Sequence, residues 1–181
     1  MTSDLPLYER DPVAWQAHLA EGNAKQARKR VSADALLLDE HDRVLLVNPN
    51  YKPGWDLPGG MAEANEPPHR AVEREVREEL GLVIAVGNLV CLDWVAPHGP
   101  WDDLLAFVFD AGRLDATQIA GIRLIDGELT EAAFHAPAEA YERLRPHVAR
   151  RLAAALAARV RGRTCYLQNG DPVDGSTAAS A

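Results

Sequence analysis

Residues 59–82 of the chain read GGMAEANEPPHRAVEREVREELGL, and the spacing of their glutamates decides how the sequence is interpreted. Glu75, Glu78 and Glu79 are three and four positions apart, so on a helix they share one face within an arc of about 100°. Three like charges this close repel each other and destabilise an isolated helix. A divalent cation removes that repulsion, and Mg²⁺ prefers carboxylate oxygens. The pattern therefore predicts a helix with a metal-binding face.

The same stretch predicts where this helix begins and ends. Asn65 or Glu66 is suited to cap the first turn, in which Pro67 is tolerated. Gly81 is suited to a left-handed stop at the other end. A second face carries an apolar stripe that a core can bury, and it consists of Val72, Val76 and Leu80.

Upstream of the helix, residues 55–58 read WDLP and predict a short strand that leads into Gly59 and Gly60. Two glycines allow a sharp turn and bring a backbone carbonyl close to an ion. Arg74 stands four positions before Glu78, where its guanidinium can fix the carboxylate rotamer. The whole segment therefore predicts a loop and a helix that cooperate around a cation.

Gly60, Glu66 and the run REVREELGL at residues 74–82 resemble the Nudix box at every defining position. This resemblance to MutT-like Nudix hydrolases implies an α/β/α sandwich with a mixed central sheet, in which the box forms a loop–helix–loop. It also implies hydrolysis of the diphosphate linkage of a nucleoside diphosphate derivative or of a nucleoside triphosphate.

The resemblance further implies roles for individual residues. Glu75, Glu78 and Glu79 would bind Mg²⁺ or Mn²⁺, with the carbonyl of Gly59 as a further ligand. Arg74 would orient the carboxylates, and the catalytic group would comprise Glu78, Arg74 and Glu75. Glu66 would brace the loop or bind metal through a water molecule.

The base that activates the attacking water has three candidates. Glu78 in the box is one, and Glu128 and Glu131 in the segment IDGELTEAAF are the others. A metal-bound water is already acidified, so the base needs to contribute only a modest share of the rate enhancement. The sequence leaves this choice open.

Length and composition agree with one compact domain at residues 31–162, preceded by a helical arm at 1–30 and followed by a tail at 163–181. The last residues, GSTAASA, are typical of disorder. No apolar run approaches the ~20 residues that span a bilayer, and the N-terminus lacks an apolar signal segment. Two cysteines are too few for a disulfide framework, and Cys91 suits a small buried position. A cytoplasmic protein without a membrane partner is therefore expected.

The net charge of −8 argues against broad nucleic-acid binding, because it repels phosphates at long range. It is compatible with a small nucleotide-type diphosphate if metals and local cations invert the field within the site. The sequence is also compatible with a homodimer.

Hydrophobic periodicity predicts the remaining elements. We expect a helix at 11–29, a hairpin of strands at 31–38 and 43–47, one or two strands within 82–95, and strands at 104–110, 119–124, 131–135 and 164–168. Residues 137–162 predict a helix with a break near Pro146.

The substrate-reading segment is predicted at residues 96–103, which read APHGPWDD. Trp101 could stack on a base, His98 could touch a phosphate, and Asp102 or Asp103 could bind a ribose or a base edge. The alternative is a proline-rich turn in which Trp101 covers core. Arg30, next to the first strand, is the best predicted phosphate contact among the basic residues.

Two other functions stay open at this stage. A sensor with the same fold would bind a nucleotide without turnover, although the intact box opposes this. A diphosphate isomerase would need acid–base groups outside the box, and the sequence identifies none.

Overall fold

The computed structural model describes residues 5–125 and 127–173. The elements within these ranges are α1 (Leu7–Arg10), α2 (Pro12–Lys25), β1 (Arg30–Leu38), β2 (Val44–Pro49), β3 (Gly59–Met61), α3 (Pro68–Leu80), β4 (Leu89–Val95), β5 (Leu104–Arg113), α4 (Ala116–Gly121), β6 (Leu129–His135), α5 (Pro137–Arg143), α6 (Pro146–Val160), β7 (Cys165–Gln168) and β8 (Asp171–Pro172).

The strands of the described residues form one mixed sheet in the order β6-β2-β1-β5-β4-β7-β8, with β3 paired to β1. Strand β1 is central to this arrangement. It runs parallel to β5 along one edge, while on its other edge β3 pairs opposite residues 32–34 and β2 pairs at Leu38. The predicted hairpin of the first two long strands is confirmed by the pairing of Leu38 with Val44.

Alternation along β1 assigns its side chains to two apolar layers. Ala33, Ala35 and Leu37 face α3, where they join Val72, Val76 and Leu80 in one core cluster. Leu36 and Leu38 face the opposite way, into a second cluster with residues of α5 and α6. Helices therefore cover both faces of the sheet, and the predicted α/β/α sandwich is confirmed.

Helix α3 has the predicted buried stripe, since Val72, Val76 and Leu80 are all fully buried. Gly81 ends the helix in the left-handed region at φ 68°, as expected for a glycine stop. The predicted cap by Asn65 or Glu66 is wrong, because the helix begins at Pro68 and Pro67 occupies the cap position without a side-chain hydrogen bond. The Glu66 carboxylate instead accepts hydrogen bonds from Arg74 and from the Glu63 amide.

The strand predicted at 119–124 is wrong, because residues 116–121 form helix α4. Asp115 and Gln118 make a reciprocal capping box, with Gln118 N donating to Asp115 Oδ1 at 2.8 Å and Asp115 N donating to Gln118 Oε1 at 2.9 Å. This local hydrogen bonding outweighs the strand preference of the isoleucines, which pack against the α3 side of the core.

The strand predicted at 55–58 also differs from the structure. Trp55 and Asp56 make only isolated bridges, and the strand proper is the next segment, β3. Proline at position 58 has no amide hydrogen to donate, although its carbonyl accepts from the amide of Ala35 at 2.8 Å.

The other predicted elements correspond well to the structure. The strands at 104–110, 131–135 and 164–168 appear as β5, β6 and β7, residues 82–95 yield the single strand β4, and the helix at 137–162 divides before Pro146 into α5 and α6. Cys91 is fully buried as expected.

The predicted arm contains α1 and α2, and α2 has no buried residue. The predicted disordered end, GSTAASA, lies outside the described residues. In the described part of the chain, no helix is both long enough and apolar enough to span a bilayer.

Candidate active site

Gly59 and Gly60 bring the loop before α3 into close contact with its surroundings. A Cβ atom on Gly59 would lie 2.3 Å from the carbonyl oxygen of Ala33, and Gly59 has φ +140°. A Cβ atom on Gly60 would lie 2.6 Å from the carboxyl carbon of Glu75. Gly59 therefore requires glycine, because its backbone runs directly against β1. At Gly60 the backbone runs against the carboxylate of Glu75, so a larger residue there would displace that side chain.

Glu79 and Glu75 face this loop from α3. Glu79 is 6% exposed, and its Oε2 accepts a hydrogen bond from the Gly59 amide at 3.1 Å. Burial raises the pKa of Glu75, although the guanidinium of Arg74 acts in the opposite direction. Two carboxylates are thus held at the junction of the glycine turn and the helix.

Arg74 holds three carboxylates at once. Its Nε and Nη2 donate to the two oxygens of Glu66 at 3.0 and 2.9 Å, and its Nη1 donates to Glu75 at 2.9 Å and to Glu78 at 3.1 Å. Its Nη2 also donates to the carbonyl of Met61 at 3.1 Å. The hydrogen bonds from Arg74 lower the pKa of Glu66 to about 2. Arg74 therefore joins the loop to the acidic face of the helix.

A cavity of about 510 Å³ opens beside these residues. Its lining includes Glu75 and Glu79 of α3, Glu128 of the loop before β6, and Gly59 and Gly60. The face of β1 supplies Arg30, Ser32 and Asp34. Other elements contribute Lys52, Asp56, Arg145, His147 and Arg151. The cavity has the size of a small-molecule site and contains both signs of charge.

Asp56 binds two of the cations that line the cavity. Its Oδ2 lies 2.8 Å from Nζ of Lys52 and 2.9 Å from Nη2 of Arg145. One carboxylate therefore holds two cations, so these three side chains together carry a net positive charge. Burial lowers the pKa of the neighbouring His147, and the positive charges of Arg151 and Arg145 contribute to that shift.

Asp34 lies deep in the cavity. Burial raises the pKa of its carboxyl to about 7, while the charge of Arg151 acts in the opposite direction. Arg151 is 5% exposed and donates from Nε to Oδ2 of Asp93 at 2.9 Å. Asp93 also accepts a hydrogen bond from the amide of Gly170 at 3.1 Å, so the turn between β7 and β8 is fastened to the cavity wall.

The segment 96–103 forms a tight turn at the cavity mouth. His98 and Trp101 exchange two backbone hydrogen bonds of 3.0 Å each, and both residues line the cavity. Trp101 is 55% exposed, and the guanidinium of Arg30 lies 4.6 Å from its ring centroid. The alternative in which Trp101 covers core is therefore wrong.

Two anchors hold this turn in place. Asp103 is 9% exposed, accepts a hydrogen bond from Nε1 of Trp94 at 2.8 Å, and forms an ion pair with Lys29. The amide of Ala96 donates to Oδ1 of Asn169 at 2.9 Å, which ties the turn to the β7–β8 segment. The aromatic surface is thus presented on a well-supported loop.

A sequence profile described as the NUDIX domain matches residues 28–156. The chain belongs to the Nudix family. It is 30% identical over 126 residues to a MutT-like protein of Streptomyces ambofaciens, a match that covers 70% of this chain and 76% of that protein. It is 36% identical over 72 residues to an 8-oxo-dGTP diphosphatase of Proteus vulgaris, which covers 38% of this chain and 62% of that protein.

Among solved structures, a UDP-X diphosphatase superposes with a TM-score of 0.65 over 91% of this chain and 76% of its own. The sequence identity of that pair is 20%, so the likeness concerns the Nudix fold alone.

The structure separates the predicted residues of the Nudix box into two groups. Glu75, Glu79 and Gly59 line the cavity. Glu78 is not among the lining residues; its side chain is 49% exposed and is held by Arg74 at the rim. Arg74 does not line the cavity, and it affects the site through the carboxylates to which it binds.

The predicted substrate-binding residues also fall into two groups, those that line the cavity and those that do not. Arg30, His98 and Trp101 line the cavity, whereas Asp102 does not. The backbone carbonyl of Asp102 instead accepts a hydrogen bond from Nη1 of Arg30 at 3.3 Å. Asp102 therefore has a contact with the guanidinium of Arg30 rather than with the cavity.

The chemistry of the box residues suits a hard divalent cation, because they offer carboxylate and carbonyl oxygens beside a cavity. Within residues 5–125 and 127–173, however, no three acidic, histidine or cysteine side chains are close enough to hold an ion as they stand. Glu79 is turned toward the Gly59 amide and Glu75 toward Arg74. Metal binding at this Nudix box would therefore require small side-chain rotations.

Sequence reasoning missed four charged residues that line the cavity, namely Asp34, Asp56, Arg145 and Arg151. One signal was present in β1, where Arg30, Ser32 and Asp34 alternate with apolar residues before the same face becomes Leu36 and Leu38. The others lie on separate elements, and only the fold brings them together.

Proposed function

We propose that the protein is a metal-dependent pyrophosphohydrolase that cleaves the diphosphate linkage of a nucleoside diphosphate derivative or a nucleoside triphosphate. The observation that carries the proposal is the presence of both signs of charge in one cavity. Acidic residues of the Nudix box line it together with cations from other elements. A polyphosphate chain needs both, because metal ions neutralise some of its oxygens and basic side chains bind the rest.

Mg²⁺ or Mn²⁺ is the proposed cofactor. Glu75 and Glu79 would hold it from inside the cavity, the carbonyl of Gly59 would add a ligand, and Glu78 would reach it after release from Arg74. When bound, the metal would neutralise phosphate charge and acidify water. Burial raises the pKa of Glu75 and the charges of Glu78 and Glu128 add to that shift, so a bound cation would favour its ionised form.

Glu128 is the proposed catalytic base. It lines the cavity on the loop before β6, and its charge is close enough to raise the pKa of Glu75. Glu131 lies within β6 opposite Asn48, is exposed, and is not among the residues that line the cavity. Glu78 stands at the rim, where Arg74 holds it. Geometry therefore favours Glu128 as the group that takes the proton as water attacks phosphorus.

The phosphates would be bound by Arg30, Lys52 and Arg145. Each of these cations lines the cavity, and Lys52 and Arg145 are fixed by a shared carboxylate. Positioning of this kind lowers the barrier of phosphoryl transfer, in which there is little covalent chemistry for a protein to perform. The 8-oxo-dGTP diphosphatase among the relatives supports a nucleotide substrate.

The test is product analysis over a nucleotide panel, with and without Mg²⁺. Two phosphorylated fragments are expected; no turnover would indicate a nucleotide sensor, and a rearranged diphosphate would indicate an isomerase. Glu79→Gln should reduce turnover by roughly two orders of magnitude or more. Glu73→Gln is the matched control, because Glu73 lies on the same helix but pairs with Arg70. Equal activity of the two variants would refute the metal assignment.

A further inference from the structure

The cavity face of β1 carries a carboxylate where an aliphatic side chain would ordinarily complete the core. Arg30, Ser32 and Asp34 occupy alternate positions and all line the cavity. Two residues further on, the same face contributes Leu36 to the core. Asp34 therefore stands at the boundary between the cavity floor and the apolar layer.

The carboxyl group of Asp34 lacks hydrogen-bond partners among the described residues. Its Oδ2 lies 3.8 Å from Nη1 of Arg151, which is too long for a hydrogen bond. Across the described ranges 5–125 and 127–173, no hydrogen bond reaches its carboxyl group, and its side chain is only 15% exposed. A carboxyl group in this setting gains stability from a ligand that donates a hydrogen bond.

Arg151 cannot turn to satisfy Asp34, because Asp93 fixes it. Both Nε and Nη2 of Arg151 lie 2.9 Å from Oδ2 of Asp93, which is fully buried. Asp93 is further held by the amide of Gly170. The orientation of the Arg151 guanidinium is therefore fixed before a ligand binds. Its Nη1 atom is the one that lies toward Asp34, 3.8 Å from Oδ2.

The positions of Asp34 and Arg151 restrict which chemical groups of a ligand can bind next to them. A phosphate oxygen would be repelled by the ionised Asp34 carboxylate, whose two oxygens are both acceptors. A ligand that presents a donor toward Asp34 and an acceptor toward Arg151 would satisfy both. The edge of a nucleobase has this character, since hydrogen-bond donors and acceptors lie side by side on it. Trp101, at the mouth of the same cavity, offers an aromatic surface for a planar ring.

We propose that Asp34 and Arg151 bind the hydrogen-bonding edge of the substrate's nucleobase and thereby determine which bases the enzyme accepts. The inference rests on the proposed function, since it places the diphosphate at the Nudix box and the base beside Asp34 and Arg151. It assigns specificity to a pair of residues outside the box and outside the 96–103 turn.

The test uses Asp34→Asn, which keeps the size of the side chain but replaces one acceptor oxygen by a donor. ATP, GTP, CTP and UTP are compared with inorganic tripolyphosphate, which has the phosphates but no base. For the favoured nucleotide, kcat/KM should fall about ten- to a hundredfold, as expected when one good base contact is lost, and the ranking of bases should change. Any rate on tripolyphosphate and the Mg²⁺ dependence should stay at their wild-type values.

Asp110→Asn is the matched control. Asp110 lies in β5 and pairs with Arg159 at 3.0 Å, and it does not line the cavity. Its substitution removes a partly buried carboxylate and should leave the base ranking unchanged. If Asp34→Asn does not fold, the smaller Asp34→Ser provides the same comparison.

A second readout separates this inference from the proposed function. Thermal stabilisation of the protein by each of the four nucleotides with Mg²⁺ does not require turnover, and its ranking should differ between wild type and Asp34→Asn. A wild type that binds bases selectively but hydrolyses nothing would refute the proposed function and support the base assignment. An unchanged ranking in both assays would overturn the assignment, as would an equal loss on nucleotides and tripolyphosphate.

Discussion

Alanine substitutions of the two glycines before α3 should have different effects. Gly60→Ala should mainly reduce activity, and Gly59→Ala should mainly reduce stability. In Gly60→Ala the new methyl carbon would lie 2.7 and 2.9 Å from the two carboxylate oxygens of Glu75. This is the mobile end of a long side chain, which can move away. In Gly59→Ala the new methyl carbon would lie 2.3 Å from the carbonyl oxygen of Ala33 and 2.8 Å from the Cα atom of Asp34, and both are backbone atoms.

The two clashes have different magnitudes. A normal contact of about 3.5 Å requires the Glu75 carboxylate to move by about 1 Å, and a misplacement of that size in a catalytic site can reduce the rate about a hundredfold. The stability of Gly60→Ala should change by only about 1 kcal/mol. Gly59→Ala combines backbone strain of about 1–3 kcal/mol at φ +140° with overpacking of about 1–3 kcal/mol.

The assay is thermal unfolding of both variants together with Mg²⁺-dependent nucleotide hydrolysis. Gly60→Ala should melt within about 4 °C of wild type yet lose about two orders of magnitude in kcat. Gly59→Ala should lose more than about 5 °C in Tm. Full activity in Gly60→Ala would show that the position of Glu75 is unimportant for the reaction. Equal destabilisation of the two variants would refute the distinction between side-chain and backbone clashes.

Three further predictions test other residues of the candidate site. Glu128→Gln should lower kcat by about two orders of magnitude while Glu131→Gln stays near wild type; equal effects would remove Glu128 as the base. Trp101→Ala should raise KM by an amount equivalent to about 1–3 kcal/mol of stacking and leave the metal dependence unchanged, whereas a lower Tm with normal kinetics would contradict a substrate contact. Glu66→Gln should lower Tm most above pH 5. Because Arg74 depresses the pKa of Glu66 to about 2, the advantage of wild type should vanish as pH falls from about 4.5 to 2, and a pH-independent difference would contradict this ion pair.

The elements predicted well from the sequence are those that depend on local patterns. The stripe of Val72, Val76 and Leu80 and the stop at Gly81 belong to one helix, so their periodicity is sufficient. The α4 error has a local cause too: the pair Asp115 and Gln118 is a helix-start signal, yet the isoleucines nearby favour a strand.

The ion pairs that join Lys52 and Arg145 to Asp56 could not be predicted in this way. Lys52 follows β2 and Arg145 precedes α6, and their common partner is Asp56, four positions beyond Lys52 but 89 positions before Arg145. No spacing rule relates such residues, because the fold alone brings them together. A single carboxylate in an apolar strand, such as Asp34, is a sequence signal for a functional residue. Its proximity to Arg151, however, depends on how α6 packs over the sheet.

The β7–β8 segment lies beyond the residues matched by the NUDIX profile, yet it completes the sheet. Strand β7 pairs in parallel with β4 from Cys91 to Trp94, and its turn supports both Asp93 and Ala96. A shortened protein that ended at residue 156 would leave β4, with its buried apolar side chains, as an open edge. Exposed edges of this kind pair with other chains, so aggregation is the expected fate of a molecule trimmed to the family boundary.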